Sequence, residues 1–383
     1  MRTSILPYGR QQIEADDIQA VVDVLNSDWL TTGPKIEEFE SSFAAFCGVC
    51  EAVAVSSGTA ALHAAMHTLD IGPGDEVIVP ALTFAATANS VVYQGATPVF
   101  ADVTPDTLLL DPASVEREVT SRTKAIIAVD YAGQPCDYDI LHKIASHHKL
   151  ALVADACHAL GASDKQRPVG SLADISTFSL HPVKPITSGE GGVVTTDNAS
   201  WARRMRQFRN HGITTDHRQR EKEGSWFYEM TELGFNYRLT DFQCALAQSQ
   251  LKKLPGWVER RQEIAQRYDE FFLECPFIEP LTKRTGVSHA YHLYVIKLDL
   301  EELGIERAEV FQKLRDARIG VNVHYVPVYW HPFYREKFGY EKGLCPVTEA
   351  AYERILSLPI FPAMNGGDMD AVIDALDKAL KSI

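Results

Sequence analysis

Between residues 51 and 196 the chain alternates short apolar runs rich in β-branched residues with amphipathic stretches of roughly ten residues, a spacing that separates strands from helices. Residues 52–55, 76–79, 98–101, 124–130, 150–155 and 193–196 read as strands. Residues 60–69, 83–92, 112–119, 137–148 and 199–210 read as helices. Parallel strands need crossover connections of this length, so the pattern predicts an α/β layer fold with ligands outside the carboxyl ends of the strands. Before this region, Ile13, Ile18, Val21, Val22 and Leu25 fall at helical spacing. A polar turn at 26–34 holds Trp29 beside two threonines, and a second helix covers 35–46. Residues 211–231 are polar and charged and predict an exposed loop. A long helix with an interruption follows, 239–251 and then 257–272, ending near Pro276 and Pro280. The remainder predicts a compact α+β unit: strands at 291–298 and 320–323, helices at 306–317, 347–356 and 367–381. The expected organisation is a segment 1–34, a large domain 35–250 and a small domain 251–383, joined by the helix at about 239–272.

A chain of 383 residues is long enough for two cores. Its net charge of −14 disfavours nucleic acid as the main partner and leaves room for a local basic pocket. No apolar run approaches the roughly 20 residues that span a bilayer, and the first residues lack a signal-peptide core, so a cytoplasmic protein is expected. The seven cysteines fit reduced thiols. Cys47 and Cys50 have CxxC spacing, but with no second pair they read as small residues at a helix-to-strand turn, and no metal site is expected.

The chemistry concentrates between Ser176 and Gly192. This stretch opens like a buried strand, passes through Lys184 and ends in Gly-Glu-Gly-Gly. An apolar setting lowers an ammonium's pKa and yields a nucleophilic amine suited to a Schiff base. Alone, Lys184 reads as a surface-loop lysine; other residues change that reading. Asp155 ends an apolar strand, where a carboxylate needs a cationic partner and a protonated pyridine nitrogen would serve. Ser56-Ser57-Gly58-Thr59 stands between a strand and a helix, fit for a helix cap or a phosphate cradle. Phe84 opens another helix at the same edge and is placed to stack on a flat ring or to fill core. His158, three residues past Asp155, would bond a ring hydroxyl or sit satisfied in the interior. An amine, a carboxylate, an aromatic and a phosphate cradle on one α/β domain together describe a pyridoxal 5'-phosphate site.

Several segments then carry a family resemblance: Ser57–Leu62, Thr83–Asn89, Asp155–Ala162, Phe178–Gly192, Gly234–Leu239 and Val321–Tyr325. Along nearly its whole length the chain resembles the DegT/DnrJ/EryC sugar aminotransferases, pyridoxal-phosphate enzymes of fold type I (aspartate-aminotransferase-like). Asp130–Gly133, His158–Gly161 and Lys184–Thr187 look most like the pseudaminic acid biosynthesis branch. That branch aminates C4 of a UDP-linked 4-keto-6-deoxy-N-acetyl-hexosamine, giving UDP-4-amino-4,6-dideoxy-N-acetyl-β-L-altrosamine. The resemblance implies that Lys184 holds the cofactor, Asp155 pairs with the pyridinium and Phe84 covers the ring. It implies that Gly58, Thr59 and Ser179 bind the phosphate, and that Asn236 reaches the neighbouring subunit of a homodimer with shared sites. Tyr8, Trp29, Leu30, Thr31, Thr32, Ser57, Ser179, Asn236, Asn322, Val323, His324 and Tyr325 would line the nucleotide-sugar pocket. The amino donor would be L-glutamate. Most of the family has glutamine where His158 stands, and the pseudaminic branch resembles this chain there. Rival expectations are amination of another UDP- or dTDP-linked 3- or 4-ketosugar, and a catalytically silent protein that kept the fold.

Overall fold

The computed structural model describes residues 4–215, 217–222, 224–273 and 275–381. In chain order its strands are β1 Glu51–Val55, β2 Glu76–Pro80, β3 Thr97–Ala101, β4 Thr123–Val129, β5 Ala151–Asp155, β6 Ser163–Asp164, β7 Arg167–Pro168, β8 Ile175–Ser179 and β9 Gly192–Thr196. They continue with β10 Ile278–Pro280, β11 Val287–Ser288, β12 Tyr294–Leu298 and β13 Ile355–Leu358. Seven of them form one sheet in the order β1-β9-β8-β5-β4-β2-β3. β9 runs antiparallel to both its neighbours, and the other pairings are parallel.

Alternation along the strands explains the layers. Ile126, Ala128, Leu152 and Ala154 face a core shared with the helices Pro34–Cys47, Tyr138–His148 and the start of Asp241–Phe272. Ala125, Ile127 and Val153 face the opposite core, with the helices Gly58–Thr68, Ala85–Tyr93 and Ala199–Phe208. Strands buried on both faces read as continuous apolar runs, which is what the sequence shows. A third core joins Tyr268 and Phe272 at the end of the long helix to β12, β13 and the helices Arg307–Asp316 and Gly366–Lys381. β10, β12 and β13 make its three-stranded sheet.

Four expectations are corrected. Residues 320–323 are not a strand: there are single bridges from Ile319 to Leu6 and from Asn322 to Ser357. The helix expected over 347–356 is Pro346–Arg354, and the chain turns into β13 at Ile355. The long helix is continuous from Asp241 to Phe272 with Pro255 inside it, because Leu251, Leu254, Trp257 and Val258 are buried on both sides of the proline and hold the axis. The segment 211–231 contains the short helix His217–Lys222 and a bridge between Ile213 and Met230.

Candidate active site

The parallel strands end at one edge, and the expected chemistry gathers there. Asp155 is the last residue of β5 and is buried. Its Oδ2 accepts a 2.7 Å hydrogen bond from Thr87 Oγ1, and its Oδ1 accepts a 3.3 Å bond from the Cys157 amide. Thr87 is in turn paired with Thr83 at 2.8 Å. Thr83 and Thr87 lie four residues apart around the start of the helix Ala85–Tyr93, so both hydroxyls meet on one side of it. Phe84 caps that helix and is 61% exposed, with its ring 6.0 Å from the ring of Tyr325. An exposed phenyl at the mouth of a site leaves a face free for stacking.

Lys184 follows β8 in a tight loop. Its amide donates to the His181 carbonyl at 2.9 Å, and Thr187 Oγ1 closes the loop by donating to Leu180 O at 2.8 Å. The half-buried ammonium is held below its ordinary pKa by burial, against the opposing pull of Cys157 and Asp155. The lysine's own charge helps depress His158, His292 and His324, so all these groups share one neighbourhood.

His158 is buried and pairs through Nε2 with Tyr325 Oη at 3.1 Å, while its Nδ1 has no partner among the described residues. Tyr325 follows Ile319 and Val321 of the third core and packs against the first. The carbonyl of its neighbour His324 accepts a bond from Tyr131 Oη. His324 Nδ1 pairs with Ser357 Oγ at 2.8 Å and its Nε2 with Asn322 Nδ2 at 3.3 Å. Asn322 Oδ1 accepts the Val323 amide at 2.8 Å. The Tyr8 ring lies 5.2 Å from that of His324, and burial raises its phenol pKa.

At the end of β1, Ser57 caps the helix Gly58–Thr68 by accepting the Ala60 amide at 3.0 Å. Gly58 is pressed against the neighbouring strand end: a Cβ there would stand 2.9 Å from Ser179 Cβ and 3.3 Å from Cys157 Sγ. The first amides of the helix and Ser179 therefore border one notch at the positive end of a helix.

Other expected residues lie apart. Trp29, Leu30, Thr31 and Thr32 are anchored to the start of the long helix. Leu30 O accepts the Asp241 amide at 3.0 Å, Thr31 bridges Thr240, and Gly33 N donates to Asp241 Oδ2 at 2.8 Å. Thr31 and Thr32 line a cavity of about 730 Å³ with Arg206, Arg209, Asn210 and Arg238, and neither Lys184 nor Asp155 borders it. Asn236 is exposed and bridged to Asn210, next to Tyr237, whose carbonyl accepts the Ser56 amide at 2.8 Å. Sequence reasoning missed Thr87, Cys157, Tyr131 and His292 as neighbours of the site. The Thr-x-x-x-Thr spacing at 83–87 was the one readable signal among them.

The residues fit a pyridoxal phosphate. Only a glycine at position 58 lets the start of the helix lie this close to Ser179, since a Cβ there would stand 2.9 Å from the Ser179 Cβ, and a buried ring nitrogen of His158 awaits a partner. An amine of depressed pKa stands near a carboxylate at the strand edge. Fold and site define a pyridoxal-phosphate-dependent transaminase of fold type I. The chain belongs to the DegT/DnrJ/EryC1/StrS aminotransferase family, whose model matches residues 11–377. It is 43% identical over 383 residues to the spore coat polysaccharide biosynthesis protein SpsC of Bacillus subtilis, covering 99% of this chain and 98% of that one. Helicobacter pylori PseC, an aminotransferase involved in pseudaminic acid biosynthesis, superposes with a TM-score of 0.92 at 32% identity, covering 99% of this chain and all of that one. The pyridoxal-phosphate form of the putative sugar aminotransferase Spr1654 of Streptococcus pneumoniae gives the same TM-score and identity over 99% of both chains.

Proposed function

We propose that this aminotransferase converts a UDP-linked 4-keto-6-deoxy-N-acetyl-hexosamine to UDP-4-amino-4,6-dideoxy-N-acetyl-β-L-altrosamine, with L-glutamate as donor, in pseudaminic acid biosynthesis. The observation that carries the reading is the joining of Lys184, Asp155 and the His158–Tyr325 pair at one sheet edge, beside the Gly58 notch. The likeness to PseC supports the choice of sugar.

In this reading the bound cofactor supplies an electron sink for the carbon that loses its proton. Lys184 would hold the cofactor covalently in the resting enzyme. As a free amine its Nζ would take the proton from the donor's α-carbon and, in the second half of the reaction, would place a proton on C4 of the sugar. Asp155, kept oriented by Thr87, holds the proton on the pyridine nitrogen. Phe84 covers the ring, and Gly58, Thr59 and Ser179 hold the phosphate. His158 meets the ring oxygen. Tyr8, Ser57 and the segment Asn322, Val323, His324, Tyr325 receive the sugar.

A homodimer is part of the proposal. Trp29–Thr32 and Asn236 lie outside the lysine cluster of their own chain, and a second copy would bring them to it. The proposed place of work is the cytoplasm. The seven cysteines are unpaired, and among the described residues no helix is long and apolar enough to cross a membrane.

The higher identity to SpsC favours a second reading, amination of another nucleotide-linked ketosugar. Incubation with candidate UDP- and dTDP-linked ketosugars plus L-glutamate, followed by NMR of the product, separates the two. An amine at C4 of the altrosamine product supports the proposal; turnover of a dTDP-ketosugar alone would replace it with the second reading.

A further inference from the structure

His158 is enclosed by rings. The Tyr325 hydroxyl pairs with its Nε2 at 3.1 Å, and the His292 ring stands 4.4 Å away, centre to centre. The Tyr131 ring is 6.3 Å off. Burial, reinforced by the charge of Lys184 and by His324, keeps the imidazole neutral. A neutral imidazole has one donor nitrogen and one acceptor nitrogen, so the 3.1 Å pair admits two arrangements.

In the first arrangement Nε2 carries the proton and donates to the phenol oxygen. The phenol's own hydrogen then lacks an acceptor, because the Tyr325 hydroxyl has no other hydrogen bond among the described residues. His158 Nδ1, buried and without a partner, is left a bare acceptor. In the second arrangement the phenol donates to Nε2. The one unmatched group is then an N–H at Nδ1, and an unmet buried donor is costly unless a ligand meets it.

We infer that Tyr325 is a positioning residue: its hydroxyl donates to Nε2 of His158 and so fixes the Nδ1–H tautomer, which offers a hydrogen-bond donor to an anionic ring oxygen of the bound cofactor. The inference rests on the placing of His158 against that oxygen. It gives the Tyr325 hydroxyl a task separate from any contact with the sugar. His292 has its own Nδ1 unpartnered, so neither imidazole's Nδ1 satisfies the other.

The test is nitrogen NMR of cofactor-free protein labelled with ¹⁵N-histidine, with the His158 signals assigned by their absence in His158→Gln. The wild-type ring is expected to carry its proton on Nδ1. In Tyr325→Phe, which keeps the ring packed near Phe84, the proton is expected to move to Nε2. The dissociation constant for pyridoxal phosphate is expected to rise about tenfold, the loss of one hydrogen bond to a charged group. A wild-type ring protonated on Nε2, or a Tyr325→Phe ring still protonated on Nδ1, overturns the inference. Should Tyr325→Phe not fold, the wild-type spectrum decides by itself. Neither spectrum depends on which sugar is aminated, so this result stands or falls separately from the substrate reading.

Discussion

In the proposed reading Lys184 supplies a neutral amine and Asp155 the partner of the pyridine nitrogen. Burial lowers the Lys184 pKa from 10.5, so the neutral amine appears at lower pH than for an exposed lysine. The rate of cofactor capture by the cofactor-free enzyme should rise with pH and level off below pH 10.5, as stopped-flow absorbance would show. Replacing Lys184 by arginine keeps a charge and removes the proton carrier, so turnover should fall roughly 100- to 10,000-fold. Thr87→Val removes the 2.7 Å bond to Asp155 Oδ2 and leaves a buried carboxylate oxygen without that partner. Cofactor affinity should weaken by about 1–3 kcal/mol, measured by fluorescence titration. Asp155 and Phe84 stood out in the sequence because one ends a strand signal and the other begins a helix signal, and Lys184 because it is set between a strand signal and a glycine-rich turn. His292 and Tyr131 did not, because they come from distant parts of the chain and only packing brings them to His158.

The notch proposed for the phosphate is shaped by strand order. β9 runs antiparallel between β1 and β8, which brings Gly192 under the turn Ser56–Gly58. A Cβ at Gly192 would lie 2.3 Å from the Ser57 carbonyl oxygen and 2.8 Å from the Gly58 nitrogen. The three nearest atoms are all backbone of Ser57 and Gly58, and none is a flexible side-chain end that could yield. Gly192→Ala should destabilise the protein by roughly 1–3 kcal/mol, seen as a lower denaturant midpoint, and should weaken cofactor binding with it. The alternation of strands and helices was readable because strands buried on both faces are apolar throughout. β13 was not, because Ile-Leu-Ser-Leu continues a helical apolar pattern and a run of four residues cannot be told from a helix end by periodicity. Pro255 gave a false interruption for a related reason: the proline signal is local, while the buried contacts that keep the helix continuous are not.

The molecule as a whole is sensitive to acid in a direction set by its histidines. Burial lowers His63 and His324 to about 4 and His289 to about 3, from 6.5. On unfolding below pH 6.5 these three take up protons, so their contribution to stability shrinks as pH falls from 6.5 toward 4, by about 1.4 kcal/mol per unit for each. Asp130 acts oppositely. Burial raises it from 3.8 to about 7, so it releases a proton on unfolding across nearly the same window. The histidines outnumber it, and unfolding at pH 5.5 should take up a net of about one proton or more, by calorimetry in buffers of different ionisation heat. Net proton release at that pH would contradict this accounting. The change in alternation after Pro280 was legible in the sequence. That Tyr8 and the Asn322–Tyr325 segment belong near the site came from the resemblance alone; the contact of Tyr325 with His158 depends on packing between distant parts of the chain, which no local pattern reports.

The central claim is covalent and local: pyridoxal phosphate is held on the amine of Lys184. Borohydride reduction of the purified enzyme, followed by proteolysis and peptide mass spectrometry, tests it directly. The phosphopyridoxyl mass should appear on Lys184 and the visible absorbance should vanish on reduction. A phosphopyridoxyl group on another lysine, or an enzyme that aminates its sugar with Lys184 unmodified by reduction, would contradict the account.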